Sequence, residues 1–101
     1  MAPMEGLHPA VQIEQVDTTD ADLLAVIVRC LATTRLGAHF HGLSRRGQAV
    51  DLTLTEISRY PQVRVTEVHP PHGARLVFTG AGAQDLQLKA GDIFRGINPP
   101  T

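Results

Sequence analysis

Between Thr18 and Gly37 the chain holds its most restrictive segment, an apolar stretch bracketed by a start signal and a stop signal. Thr18-Thr19-Asp20-Ala21-Asp22 reads as a helix start. Thr19 can cap the first turn, and two carboxylates suit the positive end of the helix dipole. Gly37 stands where a left-handed residue ends a helix, with Arg29 and Arg35 towards the negative end. The segment Leu23–Leu36 is therefore expected to be helical, although Val26-Ile27-Val28 is a β-branched run that favours strands.

A period of two takes over after Gly37. His39-Phe40-His41 is a short alternating piece ending near Gly42, and Ser44-Arg45-Arg46-Gly47 is a turn. Val50, Leu52 and Leu54 face one way while Asp51, Thr53 and Thr55 face the other, as in a half-buried strand. Tyr60-Pro61 breaks it. Val63 and Val65 mark the next strand, with a bulge near Glu67, and His69-Pro70-Pro71-His72-Gly73 is a rigid connector. Leu76 and Phe78 are the inward residues of another strand, and Leu86 and Leu88 mark one more. Gly91-Asp92 is a tight turn before a short Ile93-Phe94 strand. Upstream, Val11 and Ile13 suggest a short edge strand, and residues 1–10 read as a flexible lead.

The expected fold is α+β, a single domain over residues 1–101. One N-terminal helix packs on a four- to five-stranded antiparallel meander or small barrel. Such a helix is too apolar for one sheet to cover: Leu24, Ile27, Val28 and Leu31 form one stripe and Leu23, Val26 and Cys30 a second. Leu23, Val26, Ile27 and Cys30 are accordingly the candidate interface for a second copy of the chain, giving a homodimer or larger assembly.

A net charge of -1 gives no general attraction to nucleic acid or to anionic membrane. One cysteine excludes an internal disulfide, and no apolar run is long enough to cross a bilayer as a helix, so a cytoplasmic location is expected. Cys30 sits in an apolar stretch, Ser44 and Ser58 lack nucleophile-elbow glycines, and the acids are scattered. No catalytic set emerges.

Histidine is the unusual resource, with five in the chain. On a strand His39 and His41 leave the same face, and His69 and His72 flank the Pro-Pro turn. If the four met, they could hold one transition metal ion through neutral nitrogens. Arg35, Arg45 and Arg46 are candidate contacts for an acidic protein or nucleic acid. The near-absence of aromatic residues to stack on bases counts against the latter.

Two fragments resemble known families. His39-Phe40-His41 and Leu88–Phe94 are similar to the His-x-His strand and the Leu-x-x-Gly-Asp turn of cupin barrels, a resemblance that implies a metal site. No glutamate follows His41 at the place that site requires. Leu88–Asn98 also resembles a segment of PDZ peptide-binding domains. A fragment shared by two unrelated families is generic hairpin chemistry, and no family is assigned on it. The expected function is a non-enzymatic binding or assembly module, self-associating and recruiting a protein partner. A cupin-like metal-binding barrel or metal-dependent enzyme using the histidine cluster, and an arginine-based nucleic-acid binder, are the alternatives.

Overall fold

Alternation, rather than helical spacing, organises the chain from Ala10 onwards. The computed structural model describes residues 8–59 and 62–100. Nine strands follow in chain order: β1 (Ala10–Thr19), β2 (Leu23–Ala32), β3 (Thr34–Arg35), β4 (His39–Leu43), β5 (Ala49–Arg59), β6 (Val63–Val65), β7 (Glu67–Val68), β8 (Gly73–Thr79) and β9 (Ile93–Ile97). One 3-10 turn spans Ala83–Leu86. Six strands close into an antiparallel barrel in the order β4-β9-β1-β2-β8-β5, the β4–β5 pairing completing the ring. The β6 strand hangs on the far half of β5, and β3 pairs with β7 as a separate two-stranded sheet.

The expectation of a helix packed on a sheet is overturned, because the segment 23–36 supplies β2, β3 and the turn that follows them. Leu24, Val26, Val28 and Cys30 alternate into the barrel interior, while Leu23, Ile27, Arg29 and Leu31 point outward. The β-branched run prevails because both edges of β2 find partners, β1 on one side and β8 on the other. The helix start signal is in fact a hairpin turn. Thr19 pairs with Leu24, and the Asp20 amide donates to the Leu23 carbonyl at 2.8 Å. Gly37 does adopt the left-handed conformation, at φ 92°, but within a turn between strands.

The Val11–Ile13 piece is longer than expected and lies within the ring, flanked by β2 and β9. Of the expected lead, residues 1–7 lie outside the described residues, and Ala10 already begins β1. The Tyr60-Pro61 break likewise falls outside them. Leu86 and Leu88 do not form a strand. Leu86 ends the 3-10 turn, and both pack partly buried against the core.

Val50, Leu52 and Leu54 are buried, as are Leu76 and Phe78, all facing inward as their alternation requires. Inside the barrel Phe40, Phe78 and Phe94 meet with ring centroids 4.9–5.4 Å apart, two of the three pairs edge-to-face. Curvature comes from irregularities in two long strands: three register shifts in β1 against β2, and one in β5 between Leu54 and Glu56.

Two residues secure the closure. Gly96 lets β9 press against β4, since a Cβ there would lie 2.8 Å from the Phe40 Cα and collide with the His39 carbonyl. Asn98 is buried, accepting from the Arg35 amide and donating to the Thr33 carbonyl, both at 2.9 Å. Its side-chain amide thus pairs with the backbone at Thr33 and Arg35 as a neighbouring strand would.

Gly96→Ala is expected to cost about 2–3 kcal/mol by forcing the closing strands apart. Asn98→Ala should cost about 1–3 kcal/mol by leaving two half-buried backbone groups without their partner. Chemical denaturation of the two variants against the native protein checks both values.

Candidate functional site

The interior of the barrel is filled by side chains, so chemistry and recognition fall to its outer surface. On β4, burial of Phe40 turns His39, His41 and Leu43 outward; on β9, burial of Phe94 turns Ile93, Arg95 and Ile97 outward. Register sets these side chains in rows across three strands. His39 lies between Ile97 and Thr53, His41 between Arg95 and Asp51, and Leu43 beside Ala49. Leu43 is 67% exposed, Ile97 48% and Ile93 40%, an unusual concentration of apolar side chains on one outer face.

Asp51 is the electrostatic centre of this face. Its Oδ1 lies 3.5 Å from His39 Nδ1 and 3.6 Å from His41 Nδ1. The Thr53 hydroxyl lies 3.5 Å from His39 Nδ1. All three charged or chargeable groups are more than half exposed, so these long contacts add little stability. Arg95 has no ion pair with any described residue. The hairpin that carries Asp51 is fixed locally: Gly47, at φ 77°, donates to the Ser44 carbonyl at 2.9 Å. The Ser44 hydroxyl accepts from the Arg46 and Gln48 amides.

The other histidine pair sits elsewhere in the chain's contacts. His69 Nδ1 lies 3.1 Å from the Thr33 hydroxyl and its Nε2 3.7 Å from Glu67, while His72 Nδ1 bonds the His69 carbonyl at 3.1 Å. Among the described residues no group of three or more His, Cys, Asp or Glu side chains is placed to hold a metal ion. Thr33, His69 and Glu67 follow the order hydroxyl, imidazole, carboxylate. The last gap exceeds hydrogen-bond reach, and Arg35 draws the same carboxylate oxygen from 3.6 Å.

The arginines expected to bind a partner are divided. Arg35 faces Glu67, whereas Arg45 donates to the Gln87 side chain at 2.6 Å and shares a polar hollow with Arg46, Ser44 and Asp85. Of the expected interface set, Val26 and Cys30 are buried in the barrel. Leu23 is half-buried outside it, and Ile27 lines a shallow hollow of about 520 Å³ with Ala74, Arg59 and Arg75.

Sequence reasoning did not single out Asp51, Arg95, Ile93 or Ile97 as functional. Cross-strand register brings them beside the histidines, and a lone sequence carries no direct signal of register. No protein-family model matches the chain, and no curated protein matches it either. Among the described residues no helix is long and apolar enough to cross a membrane.

Burial raises the Cys30 thiol above its ordinary value, an effect partly offset by hydrogen bonds to Thr34 and Ala32. The folded thiol thus ionises later than the unfolded one, and stability falls as pH climbs beyond the ordinary thiol range. A thiol reagent at mildly alkaline pH should label Cys30 at least about 100-fold more slowly in the folded protein than in denaturant. The time course of labelling measures this directly.

Proposed function

We propose that the protein is a non-enzymatic binding and assembly module that associates with itself through the outer face of β4 and β9. The observation that carries this reading is the grouping of Leu43, Ile93 and Ile97 on two adjacent strands, all exposed, around a polar centre of His39, His41 and Asp51. Large apolar side chains grouped in the open on one face mark a protein contact surface. A packed interior leaves the surface as the place of recognition. The cytoplasm is the compartment that fits a lone, buried thiol.

The face spans roughly 14 Å by 17 Å from strand spacing and rise per residue. That is below the size of a permanent interface, so association is concentration-dependent. Sedimentation velocity from about 5 to about 500 μM should show a reversible shift to larger species. Leu43→Asp and Ile97→Asp should each weaken it by about tenfold or more, with melting temperature nearly unchanged because both side chains are exposed. Ile27→Gln, on the outer surface of β2, should leave it unaltered. A wild-type monomer throughout the range would remove the reading.

A further inference from the structure

We infer that this face is a two-fold homodimer contact whose axis runs along β4, with Arg95 of each protomer meeting Asp51 of the other. The inference rests on the assembly reading above and adds an orientation and a specific pair.

The middle row of the face carries a positive charge, a histidine and a negative charge on three successive strands: Arg95 on β9, His41 on β4 and Asp51 on β5. Adjacent strands are about 4.8 Å apart, so Arg95 and Asp51 stand about 10 Å apart with the His41 strand between them. They form no ion pair with each other. Arg95 has none with any described residue, and Asp51 keeps only its two long, exposed contacts to His39 and His41, so both can reach across a contact.

Two copies facing each other must be related by an axis lying in the contact plane. If that axis is perpendicular to β4, Arg95 faces the partner's Arg95 and Asp51 faces the partner's Asp51, which places like charges together. If the axis is parallel to β4, the row is reversed across the strand. Arg95 then faces the partner's Asp51, and the reciprocal pair forms on the other side.

The same operation sets Leu43 against the partner's Leu43, Ile97 against the partner's Thr53 and Ile93 against the partner's Ala49. Apolar or methyl-bearing surface thus meets its like on both sides of the charged row. Of the two orientations the parallel axis is the one that opposes unlike charges, with His39 and His41 on the axis facing the partner's His39 and His41.

Charge exchange tests the pairing, read as the dimer dissociation constant by sedimentation. Arg95→Asp alone and Asp51→Arg alone should each weaken the dimer about tenfold or more, and the double exchange should restore it to within about threefold of wild type. Arg95 is exposed and unpaired among the described residues, so its variant keeps the fold.

Should Asp51→Arg disturb folding, as judged by its melting curve, Leu43→Cys with a short bis-maleimide gives a separate measurement. Position 43 lies on the axis and should cross-link efficiently to itself, whereas Thr55→Cys on β5 should not. Unchanged dimerisation in the single variants, no restoration in the double variant, or no cross-link at position 43 overturns this geometry. If Leu43→Asp still abolishes association in that case, the assembly reading stands and only the two-fold arrangement fails. A wild-type monomer at every concentration overturns both.

Discussion

Ring closure depends on two five-residue strands, β4 and β9, the shortest in the barrel. Each must be paired on both edges, and each presents a phenylalanine to the interior. Gly96 permits their close approach, and the Phe40–Phe94 contact holds it from within. The strands β1, β2, β8 and β5 could form a curved open sheet without them. The β1–β9, β4–β9 and β4–β5 pairings cover the edges of that sheet, which would otherwise invite uncontrolled pairing with other chains.

That arrangement also explains why the outer surface of these strands is distinctive. Alternation assigns every second residue of β4 and β9 to the core, and the outward residues are then few. Three of the six are large and apolar, two are histidine and one is arginine. None is required by the packing inside. Asp51 joins them from β5 because register places it beside His41, and its carboxylate lies close to both rings. The surface thus combines rigidity beneath with adaptable side chains above, a suitable basis for a reversible contact.

The alternating pieces were legible in the sequence wherever one face is polar. Val50, Leu52 and Leu54, Leu76 and Phe78, and the His39-Phe40-His41 piece fall on strands with the expected sides inward. The segment 23–36 misled because its outward positions are also largely apolar, so period two was hidden and the Thr19 and Gly37 signals were free to suggest helix. Thr, Asp and Gly serve hairpin turns as readily as helix ends, and only pairing on both sides of β2 decides between them. Of the candidate site, spacing marked His39 and His41, and as metal ligands rather than as part of a contact face. Their neighbours Asp51 and Arg95 come from distant parts of the chain, through register that one sequence does not display.

The β1–β9 pairing, in which Val11 meets Phe94, has a consequence for how the protein is made. During synthesis the β1–β2 hairpin can form as soon as it emerges, since its two strands are joined by one short turn. Its other flank must wait until the segment 93–97 has cleared the ribosome. Until then β1 remains an open edge with a hydrogen-bonding ladder to offer. The growing chain is most exposed to mispairing before its last barrel strand emerges.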